Sequence, residues 1–327
     1  MSPSVVAVAI GDPNGIGPEI AVKAALRLAR AAGPRVVLVG DPFVIRASAA
    51  REGAGLALRE IGDTLPPADT VLDILPVTAL SPAAFRPGEM AADAGRATVA
   101  YVEAAAAFVR AGHADALVAC PHSETAVNAA GIRFSGYPSL LARLAGLPED
   151  RVFLMLVGGG LRIVHATLHE RLHDALARLT PELVVATGLA AAAALRRLGI
   201  AMPKLGVFGI NPHAGEGGLF GRDDDVITAP AAEQLRAAGI GIVGPLGADL
   251  LLGQRDCDAF IAMYHDQGHI PVKLLAGRGA AALTIGAGLI FSSVGHGTGF
   301  DIAGQGCADP AAVLRAIALV TGTEYLA

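Results

Sequence analysis

Short apolar runs rich in β-branched residues recur along this chain and alternate with alanine-rich stretches of helical length. The runs are VVAVAI at 5–10, VVLVG at 36–40, ALVAC at 116–120, FLMLV at 153–157, LGVFGI at 205–210 and AFIAMY at 259–264. Between them the alanine-rich segments predict helices over about 18–32, 92–111, 182–198, 229–238 and 310–320. A strand with one wet face alternates apolar and polar residues. These runs are apolar throughout, so both faces must be covered by helices. The pattern predicts an α/β fold around a largely parallel sheet, with ligands held by the loops that follow the strand C-termini. A chain of 327 residues buries one large core or two medium ones, and two lobes are expected here.

Local punctuation refines this outline. Thr180-Pro181-Glu182 and Asp309-Pro310 each read as a cap followed by proline in the first helical turn. The stretch 61–90, rich in Pro, Asp, Thr and Ser, reads as a loop, and LTIGAGLIF at 283–291 reads as strand-like.

Charge and cysteine usage exclude several function classes. The net charge is −5 and the basic residues are scattered, which leaves no field to attract nucleic acid. Cys120, Cys257 and Cys307 lie far apart without CxxC spacing, which argues against a disulfide framework or a thiolate zinc site and suits a reducing cytoplasm. The start MSPSVVAVAIGDPNG lacks the basic segment and long apolar core of a signal peptide, and no uninterrupted apolar run reaches spanning length. No membrane association is expected.

Three of the nine histidines stand just after predicted strands in polar, glycine-punctuated settings: His165 in RIVHATLHE, His213 in GINPHAGEGG and His265 in MYHDQGH. Imidazole is a good ligand for Zn2+, Co2+ or Ni2+, and three such ligands leave positions open for substrate oxygens. Taken singly, each histidine is equally at home as a satisfied loop or core residue, and spacing does not decide between the two. His169 stands four residues after His165 and is the weaker candidate. Asp266 either orients a ligand, binds the metal or is a solvated loop acid.

Two glycine loops stand out. GDPNGIGPEI at 11–20 joins a strand end to a helix opening at Pro18-Glu19. It lacks both the Lys-Ser/Thr of a P-loop and GxGxxG spacing, so a tight strand-to-helix turn explains it as well as a nucleotide site does. SSVGHGTGFDIAGQGCADP at 292–310 packs five glycines beside His296, Asp301 and Asp309. There the backbone N–H groups can meet a pyrophosphate while His296 and Asp301 meet adenine or ribose.

The segment HGTGFDIAGQGCADP resembles the cofactor loop HGSAPDIAGKGIANP of the isocitrate and isopropylmalate dehydrogenases, which bind NAD without a Rossmann fingerprint. Over the whole chain, GDPNGIGPEI, NPHAGEGGLFG, GPLGADL, MYHDQGHIPVK and HGTGFDIAG, in order from residue 11 to 310, resemble the 4-hydroxythreonine-4-phosphate dehydrogenase family. The resemblance implies two α/β/α lobes of isocitrate/isopropylmalate dehydrogenase-like type with the active site in the cleft between them. Residues 1–120 and 275–327 would form the cofactor lobe, and 121–274 the substrate, metal and dimerisation lobe. It implies one divalent metal ion (Zn, Co, Mn, Mg or Ni) on His165, His213 and His265, and NAD along Gly295, His296, Gly297, Asp301 and Asp309. A homodimer with the active site at the subunit interface follows from the same resemblance. Asp309 stands where it would repel a 2′-phosphate, which favours NAD over NADP.

Departures from the family pattern bear on the substrate. The family's His-Thr in PGHTE is Tyr137-Pro138 here, its asparagine before LGLPFIRTS is alanine at 281–282, and the arginine of that segment is Ser292; Lys273 remains. Losing the arginine fork removes the bidentate match to phosphate. SGYPSLLA, RIVHATLHE, FGINPHA and SSVGHGT instead resemble the cis-dihydrodiol dehydrogenases of terephthalate breakdown. The implied substrate is a carboxylated diol, 1,2-dihydroxy-3,5-cyclohexadiene-1,4-dicarboxylate, oxidised and decarboxylated to protocatechuate. Tyr137, Ser139, Lys273, Ser292 and Ser293 would line its site, with Lys273, Asp249 and Asp266 as candidate acid, base or charge partners. A phosphorylated substrate, 4-hydroxythreonine-4-phosphate or a sugar acid, is the first rival. A non-catalytic binder of aromatic acids is the second.

Overall fold

The computed structural model describes residues 4–53, 57–62, 64–67, 71–134, 136–277 and 280–322. The chain forms a mixed α/β fold that divides into two compact units, Met1–Leu140 with Gly288–Ala327, and Leu141–Ala287. Both boundaries lie later in the chain than 120/121 and 274/275.

The first unit holds strands β1 (Val5–Ala9), β2 (Arg35–Gly40), β3 (Leu58–Glu60), β4 (Leu72–Pro76), β5 (Ala116–Ala119) and β12 (Ile290–Ser293). They lie in the order β3-β4-β2-β1-β5-β12, and every pairing is parallel. Its helices are α1 (Gly17–Arg30), α2 (Pro42–Arg51), α3 (Ala92–Arg110), α4 (Glu124–Ala129) and α11 (Ala311–Thr321), and α5 (Tyr137–Ala145) leads into the second unit. Residues Val6–Ile10 are wholly buried, as an apolar strand without a wet face requires.

Several expectations are corrected in this unit. The stretch 61–90 is not all loop, for it contains β4; residues 63 and 68–70 lie outside the described residues. The acid at the strand's second position hid it. Asp73 is buried because Arg35 Nε at 2.9 Å and Arg59 Nε at 2.8 Å both donate to its carboxylate. LTIGAGLIF is two strands rather than one, because Gly286 (φ 99°) and Gly288 (φ 76°) turn the chain between β11 (Ala281–Ile285) and β12. Pro310 is itself the N-cap residue of α11 rather than the first residue of its first turn, and Asp309, one position before it, accepts from Ala311 N through Oδ1 at 3.0 Å.

The second unit holds β6 (Phe153–Gly158), β7 (Leu161–His165), β8 (Lys204–Phe208), β9 (Gly241–Leu246), β10 (Ala259–Ala262) and β11 in the order β11-β6-β7-β10-β8-β9. β11, β6 and β7 pair antiparallel, whereas β7, β10, β8 and β9 run parallel. Helices α6 (Leu172–Arg178), α7 (Pro181–Arg197), α8 (Ala229–Ala237), α9 (Ala248–Gln254) and α10 (His265–Ala276) complete it. Thr180 Oγ1 accepts from Leu183 N at 3.2 Å with Pro181 opening α7, as its sequence predicts. No single helix among the described residues is long and apolar enough to cross a membrane. α6 and α7 reach that length only together, across a bend of 91°.

Candidate active site

In the second unit β7, β10 and β8 are neighbours and run parallel, so their C-terminal ends lie side by side. His165 closes β7, His265 opens the helix after β10, and His213 lies in the loop after β8. Gln267 links two of these ends, donating from Nε2 to the Gly209 carbonyl at 2.7 Å and accepting from Met263 N at 2.7 Å.

His165 is buried, and its Nδ1–H donates to the Leu154 carbonyl at 3.2 Å. That bond sets the tautomer and leaves Nε2 as a bare lone pair, the form a metal-ligating imidazole takes. In this structure Nε2 accepts a hydrogen bond from His269 Nδ1–H at 3.0 Å. Burial, reinforced by His269, pushes the His165 imidazole down to about 3, and burial with the nearby His265 takes His269 down to about 4. Both rings are neutral donors at physiological pH. The His265 ring stacks on His269 at 3.8 Å, and the His169 ring lies 5.4 Å from His265.

The other two named imidazoles point at carboxylates. His265 Nδ1 bonds Asp266 Oδ1 at 2.7 Å, which gives Asp266 an orienting contact. His213 Nδ1 bonds Glu216 Oε2 at 2.6 Å, within a turn whose residues 213–217 all have positive φ. Among the described residues no three His, Cys, Asp or Glu side chains converge as a metal-binding set. Lys273 is exposed two turns along α10 from Asp266, and Asp249 is exposed in the first turn of α9. A cavity of about 290 Å3 opens beside His265, lined also by His169, Tyr264, Asp266 and Leu172.

The first unit carries the remaining residues. Tyr137 is buried at the start of α5, its hydroxyl donates to the Cys120 carbonyl at 3.4 Å, and its ring lies 4.7 Å from Phe291. Burial, and then Cys120, push its phenol well above the usual tyrosine range. Ser292 is buried within β12, Ser293 ends it half-buried, and Ser139 Oγ donates to the Gly136 carbonyl at 3.0 Å. His122, which the sequence reading passed over, packs edge-on to Tyr137 at 4.6 Å. Burial pushes its imidazole down to about 4. It stands just after β5, so the rule that selected the other histidines applies to it as well.

Gly295, His296 and Gly297 are exposed, and nothing lies within 4 Å of where a Cβ would stand on either glycine. That open backbone suits a phosphate. Asp301 is exposed beside it, and Asp309 is exposed just before α11, bonded to Ala311 N. GDPNGIGPEI serves differently, since residues 11–20 are all buried. Gly15 and Gly17 admit the Thr298 and Ile10 carbonyls, which a Cβ would meet at 2.8 and 2.2 Å. Glu19 Oε atoms accept from Gly306 N at 3.1 Å, Ala308 N at 2.7 Å and Lys23 Nζ at 2.8 Å, clasping the glycine loop from beneath. The N-terminal turn thus supports the loop and exposes no backbone of its own to a nucleotide.

Asp12, in the same turn, is fully buried, with Oδ1 accepting from Asn14 N and Oδ2 bonded to none of the described residues. Burial raises its carboxyl from 3.8 to about 6 despite that bond. A raised acid stabilises the fold when protonated, and this contribution is lost as pH rises from about 4 through about 6. Asp12→Asn is therefore expected to raise unfolding free energy at pH 8 by up to about 3 kcal/mol and to change little at pH 4. Urea denaturation at the two pH values checks this, and equal effects at both would refute it.

Comparison with known proteins fits this geometry. The family model for the pyridoxal phosphate biosynthetic protein PdxA matches residues 32–320. The chain belongs to the PdxA family. A relative from Comamonas sp., 1,2-dihydroxy-3,5-cyclohexadiene-1,4-dicarboxylate dehydrogenase, is 51% identical over 96% of both chains. The crystal structure of a terephthalate 1,2-cis-dihydrodiol dehydrogenase from Burkholderia xenovorans LB400 is 58% identical, covers 99% of this chain and 100% of its own, and superposes with a TM-score of 0.83. That of a 4-hydroxythreonine-4-phosphate dehydrogenase from Burkholderia phymatum is 34% identical, covers 98% of each chain and gives 0.88. PdxA-family membership makes this chain an oxidoreductase, a dehydrogenase acting on a hydroxyl group.

Proposed function

We propose that this PdxA-family chain is a metal-dependent, NAD-linked dehydrogenase that converts 1,2-dihydroxy-3,5-cyclohexadiene-1,4-dicarboxylate to protocatechuate and CO2. The observation that carries the reading is the set of imidazoles after three neighbouring parallel strands, in a chain half identical to a relative of that activity. Loss of hydride from C2 to NAD and of the C2–OH proton yields a ketone β to the C1 carboxylate. The C1–carboxylate bond then breaks, its electron pair flows to the carbonyl oxygen, and the ring becomes aromatic as that oxygen regains a proton.

The donor chemistry suits a divalent ion, and His165, His213 and His265 would hold it, the latter two through Nε2 while their Nδ1 atoms stay on Glu216 and Asp266. When bound, such an ion supplies Lewis acidity to the diol oxygens. Asp266 holds the His265 ring through Nδ1, Lys273 offers a cation to a carboxylate, and Asp249 remains a candidate for proton transfer. In the first unit the open backbone at Gly295 and Gly297 offers donors to the NAD pyrophosphate, with His296 and Asp301 for the adenosine, and of the uncharged set Tyr137, Ser139, Ser292 and Ser293 only Ser293 is more than slightly exposed. A homodimer accords with the apolar side chains that the second unit exposes: Ile270 and Leu274 one turn apart on α10, Leu250 on α9, and Leu219. Leu274→Glu is expected to convert a dimer to monomers in light scattering, and an unchanged mass would exclude this face.

The deciding experiment follows NADH absorbance with metal-loaded protein, offering the cis-diol and 4-hydroxythreonine-4-phosphate separately. Turnover of the diol, reduced at least about a hundredfold in His165→Ala, supports the proposal. Turnover of only the phosphate ester transfers the chain to the second reading, which exposed Lys273 favours as an anion partner.

A further inference from the structure

We infer that His269 joins His165 in holding the divalent ion, and that this added imidazole biases the site of this chain toward Zn2+, Co2+ and Ni2+ over Mg2+ and Mn2+. The inference rests on the proposed metal dependence. It starts from the one donor atom that His165 has left. With Nδ1 committed to the Leu154 carbonyl, only Nε2 can bind a cation, and Nε2 faces His269 Nδ1 at 3.0 Å. Two imidazole nitrogens bound to one ion at about 2.0–2.1 Å stand about 3.0 Å apart at a right angle and about 3.4 Å apart at a tetrahedral one. The pair, joined here by a hydrogen bond, therefore already has the spacing of two ligands on one ion, and it needs only the His269 proton to pass from Nδ1 to Nε2 for both lone pairs to meet the cation.

The backbone explains the proximity. His265 and His269 sit four apart at the start of α10 and face the same way, their rings 3.8 Å apart and 12° from parallel. Gly268 lies between them and lets the helix close on β7, because a Cβ there would meet His165 Nε2 at 2.4 Å. The absent side chain keeps clear the space in front of that lone pair. Imidazole favours borderline ions, whereas Mg2+ and Mn2+ prefer oxygen, so a further ring nitrogen shifts selectivity in one direction.

The test uses full-length protein stripped of metal, comparing wild type with His269→Leu and His269→Gln. Zn2+, Co2+ and Mn2+ are titrated calorimetrically and the visible absorption of the Co2+ form is recorded. His269→Leu is expected to weaken Zn2+ and Co2+ at least about tenfold, to change Mn2+ by less than about threefold, and to alter the Co2+ bands. Glutamine can keep a hydrogen bond to His165 but brings no imidazole, so His269→Gln should behave like the leucine variant and supplies the comparison if that variant does not fold. Unchanged affinities and bands overturn the inference, as does recovery of wild-type binding in His269→Gln, which would reduce His269 to a hydrogen-bonding neighbour. Wild type that binds none of the three ions sinks the metal reading itself, and this inference with it.

Discussion

Gly268→Ala is expected to reduce turnover by at least about a hundredfold and to lower the unfolding free energy by about 1–3 kcal/mol. Alanine ordinarily improves a helix over glycine by about 1 kcal/mol, so a loss here runs against propensity and reports a steric cause. The cause is His165 Nε2, which a Cβ at this position would approach to 2.4 Å, with Ile163 Cγ2 at 2.8 Å behind it. His165 cannot retreat without breaking its bond to the Leu154 carbonyl, so α10 must lift, carrying His265 and His269 with it. Gly253 in α9 is the control: nothing lies within 4 Å of its Cβ position, and Gly253→Ala is expected to raise stability by up to about 1 kcal/mol without touching activity. Steady-state kinetics and urea denaturation of both variants decide the matter. A fully active Gly268→Ala protein would mean that the His165 face of α10 has no part in the chemistry.

Glu19→Ala has the second large effect. It is expected to cost about 2–4 kcal/mol, because the amides of Gly306 and Ala308 would lose their acceptor and the shielded Lys23 ammonium would keep only Glu52 at 3.6 Å and the Gly306 and Ala308 carbonyls. The functional signature is a split. KM for NAD should rise at least about tenfold while kcat at saturating NAD falls much less, since the loop at 295–309 is loosened and the histidine cluster is untouched. Glu19→Gln keeps an oxygen acceptor for one amide and should fall between wild type and Glu19→Ala in both measurements. If KM for NAD stays at the wild-type value while stability drops, the glycine loop does not hold the cofactor.

The predicted strands at 5–10, 36–40, 116–120, 153–157, 205–210 and 259–264 all appear, within one or two residues at their ends. Six apolar runs with no polar face had no other stable use. β4 escaped notice because its second residue is Asp73 and its last is Pro76, and a carboxylate inside a strand becomes tolerable only once Arg35 and Arg59 arrive from two other strands. His269 escaped for a related reason. AFIAMY reads as a strand running to residue 264, but β10 ends at Ala262 and a helix begins at His265, which places two histidines on one helical face.

What the sequence determined by itself was the kind of fold and the strand ends at which the candidate histidines stand, because hydrophobic period and strand-end residues are local properties of the chain. It also named the residue types suited to a metal and a dinucleotide. Only the tertiary structure decided which nitrogen of His165 stays free, that His269 is its neighbour, that His213 turns to Glu216, and that the N-terminal glycines make room for carbonyl oxygens. The His165–His269 pair and the Gly15–Thr298 approach join groups more than a hundred residues apart, which no spacing along the chain encodes, while the His165–Leu154 and His213–Glu216 bonds depend on backbone and side-chain directions that residue type alone does not fix.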